Sequence, residues 1–296
     1  MLLRSCSWSL FTITGLLRRG FLNPRANLRV ADFRQDYNIP NRKCSRIDLG
    51  DLMRWIWCRA SAAIVASSGV VAGLLVNIDR ATREGQVRGD VLANYFSLFT
   101  IASSILSAVV LTIAARWMLR HPGPSPEPVG IAMAIAAVTA PVILLGIVFN
   151  VLLRGNPAPI AATDPGWVSF MDSWATETLH VILPIYFVID LLFASRRRAL
   201  PWSSLAIIVS YPLAWTVYTM VRGERVVNPD GSTPWWYPYG FLDPHTAGYV
   251  SAFTYIGGIL FAFLLLGAAI IGIGRARERH AAHQEASRPR IGGLPF

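Results

Sequence analysis

The chain has 296 residues, 53% of them apolar and 15% charged, and a formal net charge of +10; its mean hydropathy is +0.44. An average globular domain carries roughly 25% charged residues, so a water-soluble fold has too little polar surface to cover this chain. The basic residues are dispersed over connecting segments and are not interleaved with a stacking platform, which argues against nucleic acid as a partner and leaves the lipid bilayer.

Residues 1–52 differ from the rest. The run Ser5 to Leu17 is apolar but short, is followed by Arg18 and Arg19, and lacks a small-residue cleavage site, so it does not read as a signal peptide. The remainder is polar, and the segment reads as a disordered cytoplasmic extension, with Met53 as an alternative start directly before the first apolar run. Cys6, Cys44 and Cys58 all fall on this side, where thiols stay reduced, and no disulfide is expected.

Charge-free runs then follow at Ala60 to Ile78, Val91 to Ala115, Pro128 to Leu153, Ala199 to Val221 and Thr246 to Gly274. Each is long enough to cross a hydrocarbon core about 30 Å thick, which needs roughly 20 helical residues. A sixth span, Ser173 to Ser195, is apolar despite Glu177, His180 and Asp190. Only helices and closed barrels satisfy the backbone in lipid, and the runs lack period-two alternation. The predicted fold is all-α: six transmembrane helices in one domain over residues 53–275, with a disordered tail over 276–296. There is no internal repeat. Polar or proline-rich connections separate the spans, the longest running from Arg222 to His245 with the aromatic cluster Trp235, Trp236, Tyr237 and Tyr239, of the kind that sits at headgroup level.

Cytoplasmic loops carry the Lys/Arg excess. One set of connections holds Arg42, Lys43, Arg46, Arg54, Arg59, Arg116, Arg120, Arg196, Arg197, Arg198, Arg275, Arg277, Arg279, Arg288 and Arg290, which makes fifteen. The other holds Arg80, Arg83, Arg88, Arg154, Arg222 and Arg225, six in all, beside Asp79, Glu84, Asp90, Glu224 and Asp230. Both termini are therefore expected in the cytoplasm. With arginine outnumbering lysine twenty-six to one, the membrane expected is a bacterial plasma membrane.

Ionisable residues inside spans are costly and functional by default. Asp190 lies near the cytoplasmic end of its span, within reach of Arg196 to Arg198, and reads as a structural carboxylate. His180 follows Thr176 and Glu177 on the same helix; it reads either as an interhelical packing contact or as a catalytic base. No second His or Cys stands at ligand spacing, so neither a metal nor a cofactor is expected, and His245 is only a distant partner. Ser97, Thr100, Ser104 and Ser107 fall on one helical face. That stripe is either a close-packing surface or the source of a nucleophile. With span two starting near Leu92 and span four near Trp174, Thr100 and His180 lie roughly 12 and 9 Å below the outer face. A hydroxyl beside an imidazole is the minimal arrangement for acyl transfer.

The stretch Asn94 to Ser104 (NYFSLFTIASS), the segment Leu179 to Asp190 (LHVILPIYFVID), the Tyr211-Pro212 pair and the Trp236-Tyr237-Pro238 cluster resemble the androgen-induced and androgen-dependent membrane proteins and their bacterial six-helix relatives. The resemblance runs in order from about Trp55 to Gly274. It implies a membrane-embedded threonine and histidine that hydrolyse fatty acid esters of hydroxy fatty acids. Residue by residue, the threonine carries onto Thr100, with Leu98 to Val110 aligned without a gap, and the histidine onto His180; an alternative register puts Ser97 in the nucleophile position. Glu177 is the expected third member, orienting the imidazole. The expected function is a threonine-type hydrolase of lipid esters; the alternative is a non-catalytic membrane protein that binds or transports a small lipid or solute.

Overall fold

The computed structural model describes residues 49–86, 88–155 and 159–287, and among these every regular element is a helix. Six helical segments are long and apolar enough to cross a membrane: Gly50–Arg83, Phe99–Arg120, Val129–Leu153, Gly166–Phe193, Ser204–Gly223 and Pro244–Gln284. The all-α six-helix reading therefore holds. The expectations for Cys6, Cys44 and most of the N-terminal extension lie outside the described residues, as does the tail beyond residue 287.

Helix α1 (Leu49–Arg83) is longer than the apolar run that predicts it. Its 35 residues extend about 50 Å at 1.5 Å each, so both ends project beyond the hydrocarbon core. One face, carrying Leu52, Trp55, Ile56, Arg59, Ala62, Ala63, Ala66 and Val70, is buried, whereas Trp57, Ile64, Val71 and Leu75 are exposed. Exposed apolar side chains on the outside of a bundle this hydrophobic face lipid. Small residues let α1 approach its neighbours: a Cβ on Gly69 would lie 2.3 Å from Thr178 Oγ1. Leu52, assigned from sequence to the disordered extension, is helical and packs with Trp55, Ile56, Met118 and Ala194.

The second span departs from expectation. The run from Val91 is not one helix but two, α2 (Arg88–Ser97) and α3 (Phe99–Arg120), broken at Leu98, which is extended (φ −61°, ψ 133°). The Ser97 hydroxyl turns back onto the Asn94 carbonyl at 2.7 Å, and the freed Ser97 carbonyl accepts from Trp215 Nε1 at 3.0 Å. A short polar side chain competing for backbone groups weakens a helix, and here a partner from a distant helix completes the break. The span starts at Phe99 and ends at Arg120.

Helix α4 (Val129–Val148) is the core of the bundle, touching α3 and three later helices, with Ile135, Ala136 and Ala140 fully enclosed. It passes into a π-helical turn, Phe149–Leu153. The fourth span begins earlier than expected, at Gly166, and consists of α5 (Gly166–Glu177), a second π-turn (Thr178–Ile182) and α6 (Leu183–Phe193). Helix α7 (Ser204–Gly223) and helix α8 (Pro244–Ala286) complete the fold. The Asp243 carboxylate caps α8 by accepting from the His245 amide at 2.9 Å. The axis breaks at Gly248, whose φ of 80° suits glycine. Residues 276–286, read from sequence as tail, are helical, because Ala, Arg, Glu and Gln propagate a helix already nucleated in the membrane. Arg277 anchors that extension, donating to the Leu191 and Ala194 carbonyls at 2.6 and 2.8 Å, the orphaned end of α6.

Candidate functional site

The site is built around a proline. In a regular helix the amide of residue 184 would bond the His180 carbonyl, but Pro184 has no N–H. The ladder instead widens: the Leu183 amide donates to the Thr178 carbonyl, five residues back. Across the bundle, the Arg154 amide likewise donates to the Phe149 carbonyl at 2.7 Å. The two π-turns face each other, and Asn150 stitches them together, its Nδ2 donating to the Gly146 carbonyl at 2.8 Å and to the free His180 carbonyl at 2.9 Å. Gly146 permits the approach, since a Cβ there would lie 2.6 Å from Pro184 Cγ. Single π-turns inside helices recur at functional sites.

This scaffold presents the His180 imidazole flat against Phe149, with ring centroids 4.1 Å apart and planes at 11°. Its Nδ1 is buried and has no hydrogen-bond partner. The imidazole borders a cavity of about 110 Å3 whose wall also includes Thr100 from α3 and Thr216 from α7. Most of the remaining wall is apolar or aromatic, including Leu144, Val148, Trp215 and Phe263. Thr100 and His180 thus both border one cavity, but the depths read from sequence do not carry over: the spans begin at Phe99 and Gly166, not near Leu92 and Trp174, so Thr100 is the second residue of its span and not the ninth.

Tyr239, which no sequence pattern singled out for the site, lies on the same wall. Burial raises the pKa of its phenol, while the Thr100 hydroxyl and the Thr100 and Phe99 amides beside it pull the other way. The phenol ring packs near Trp215 and stacks on Phe241. Its position depends on the close seating of the 235–242 segment on α7, where a Cβ at Gly223 would meet the Tyr237 ring at 2.4 Å.

Ser97 sits elsewhere. It precedes the break, its hydroxyl is bound to Asn94, and it borders a separate crevice with Thr219, Arg222 and Trp236. Glu177 does not hold the imidazole: its two oxygens accept from Arg154 at 2.9 and 3.1 Å, an exposed bidentate pair. Arg154 in turn donates to Asn150 Oδ1 at 2.8 Å and lies over the Phe149 ring, 5.7 Å from its centroid. Glu177 therefore steadies the π-turn behind His180, and ring stacking orients the imidazole. Ser104 and Ser107 are buried, Ser107 bonding the Ser103 carbonyl at 2.7 Å. His245 contacts Glu224, at 3.0 Å, and stacks on Trp235.

Asp190 is enclosed near the end of α6, as expected of a structural carboxylate, and binds Arg59 Nε at 3.2 Å and Arg197. Arg59, counted from sequence among the loop arginines, lies inside α1 and is fully buried; it also donates to Glu127 at 3.1 Å. Burial raises the pKa of the Glu127 carboxyl against the pull of Arg59, and lowers that of Arg196 together with the Arg59 charge. The helical register gives Arg59 away, since it shares a face with Trp55, Ala62, Ala63 and Ala66; nothing in the proline-rich segment around Glu127 marks that residue. No cluster of three or more His, Cys, Asp or Glu side chains able to hold a metal occurs among the described residues.

The chain matches no protein-family model, curated protein or solved structure. The functional reading therefore rests on its own geometry.

Proposed function

We propose that this integral membrane protein is a hydrolase of lipid esters, with Thr100 as nucleophile and His180 as its base, related to the androgen-induced and androgen-dependent family that its motifs resemble. The observation that carries this reading is the shared cavity: a hydroxyl and an imidazole with a free, buried Nδ1 border one small apolar chamber. Thr100 Oγ1 adds to the ester carbonyl carbon as His180 takes its proton; the tetrahedral intermediate then expels the alcohol, which takes that proton back. Water, activated by His180, releases the fatty acid from the acyl-threonine by the same two steps. The Tyr239 phenol, beside Thr100, supplies a donor for the oxyanion. The arginine distribution supports an orientation with the Arg59 end in the cytoplasm of a bacterial plasma membrane.

A fluorophosphonate probe tests this. The wild-type protein should be labelled, and Thr100→Ala, His180→Ala and the double variant should lose labelling to a similar, non-additive extent, whereas Ser97→Ala should keep it. Full labelling of Thr100→Ala removes Thr100 as nucleophile. An unlabelled wild-type protein assigns the cavity, whose wall is mostly apolar, to non-catalytic binding of a lipid or small solute.

A further inference from the structure

A second chamber, of about 250 Å3, opens between the end of α1, α2 and the connection that follows α7, and shares no wall residue with the His180 cavity. Its character is the opposite. Asn77, Gln86, Asn94 and Asn228 line it together with Tyr95 and Trp236, and among the described residues no charged side chain does. Asn94 is 6% exposed, and its Nδ2 is buried without a partner. The identity of that atom follows from chemistry: Arg222 Nη2 sits 2.6 Å from the other end of the amide, and a guanidinium only donates, so the end facing it is the oxygen. A buried donor left unmade costs about 1–3 kcal/mol, a cost that a bound acceptor would remove.

The other amides offer the complementary half. Asn77 spends its Nδ2 on the Gly73 carbonyl, Gln86 its Nε2 on Glu84, and Asn228 its Nδ2 on Ser232. Each keeps a side-chain carbonyl oxygen to accept a bond. Three such acceptors disfavour an anion. The Asn94 donor, backed by the Arg222 charge, disfavours a cation. A ligand that suits both halves is neutral and carries groups that donate and accept at once. Trp236 adds a flat ring, held from behind by the Arg222 guanidinium 5.2 Å from its centroid. The volume falls below the roughly 300–1,000 Å3 typical of pockets for drug-sized ligands, which restricts the occupant to a single ring.

We propose that this chamber binds a neutral, hydroxyl-rich ring, a sugar, presented either as a glycolipid headgroup or as a free glycoside. The site is independent of the hydrolase reading.

The test is thermal unfolding of the full chain in phosphatidylcholine nanodiscs prepared without glycosidic detergent. Methyl glucoside, galactoside and mannoside form one arm, the corresponding monoglycosyl diacylglycerols a second, and phosphatidylglycerol a third. At least one sugar should stabilise the protein saturably; stabilisation by the lipid alone identifies a headgroup site, and by the methyl glycoside a soluble ligand. Gln86→Ala, Asn228→Ala and Trp236→Leu, at the periphery of the chamber, should each weaken that binding by about tenfold, while Thr100→Ala leaves it unchanged. Absence of stabilisation by every sugar overturns the proposal, as does stabilisation that survives all three variants or that phosphatidylglycerol reproduces.

Discussion

Arg59 and Asp190 stand 131 residues apart in sequence and meet with Nε 3.2 Å from Oδ1, neither side chain more than 1% exposed. The same guanidinium reaches Glu127, and Arg197 closes on the far side of Asp190. This group ties α1 to the end of α6 and to the segment before α4, beside the apolar packing of Trp55 and Ile56 on Ala194.

Removing one member of such a group leaves buried charge uncompensated. Arg59→Met should lower the unfolding free energy by about 3–5 kcal/mol, read from equilibrium unfolding in mild detergent at matched folded yield. Adding Glu127→Gln and Asp190→Asn in the same chain should recover much of the loss, because the carboxylates are then no longer stranded. A loss under about 1 kcal/mol for Arg59→Met alone would mean that the network contributes little.

The Asn150 bridge makes a second, sharper expectation. Asn150→Ala strands the His180 carbonyl and should cost about 1–3 kcal/mol. Pro184→Ala supplies the missing amide, so that carbonyl gains a helical partner and Asn150 becomes less important. A double-mutant cycle should therefore show coupling of at least about 0.5 kcal/mol; strict additivity would detach Asn150 from the proline-made vacancy.

Two glycines within helices should respond in opposite directions. Gly146→Ala forces a Cβ against Pro184 and toward the His180 carbonyl, 3.2 Å away, and should destabilise by about 1–3 kcal/mol. Gly258→Ala meets nothing within 4 Å and should stabilise by about 0.5–1 kcal/mol. Thermal melts of the two purified variants give the comparison, and equal shifts would contradict the close approach at Pro184.

At the other end of the bundle, Glu224 accepts from Tyr237 at 2.7 Å, and that hydroxyl, then His245, holds its carboxyl below the usual glutamate range. A depressed folded-state pKa stabilises above the unfolded value, about 4.3, and the contribution is lost as pH falls through the folded value. The fluorescence of the tryptophans over the 235–242 segment should show an acid transition below about pH 4.3, as Glu224 takes up its proton. Glu224→Gln should abolish that acid transition; an unchanged transition would place its origin in another group.

The number of spans was legible because hydropathy is local and additive: each apolar run needs only its own residues to read as a helix. The structural role of Asp190 was legible for a related reason, since a lone carboxylate near a run of arginines has few other options in a membrane. The break at Leu98 was not legible. It depends on Trp215, 118 residues beyond Ser97, whose indole takes the carbonyl that a continuous helix would have used.

The sequence by itself determined that this is a six-helix membrane protein, that His180 is a costly imidazole within a span, and that Thr100 stands in a stripe of hydroxyl residues. Only the tertiary structure decided that Thr100 and Thr216, and not Ser97, share a chamber with that imidazole, that Arg59 is buried and not in a loop, that Glu177 serves Arg154, and that Tyr239 joins the cavity wall. The physical reason is that composition and periodicity report the preference of a segment for lipid or water, whereas a site depends on which helices touch. Those contacts are set by glycines that permit close approach, prolines that free a carbonyl, and side chains from distant segments that take it up.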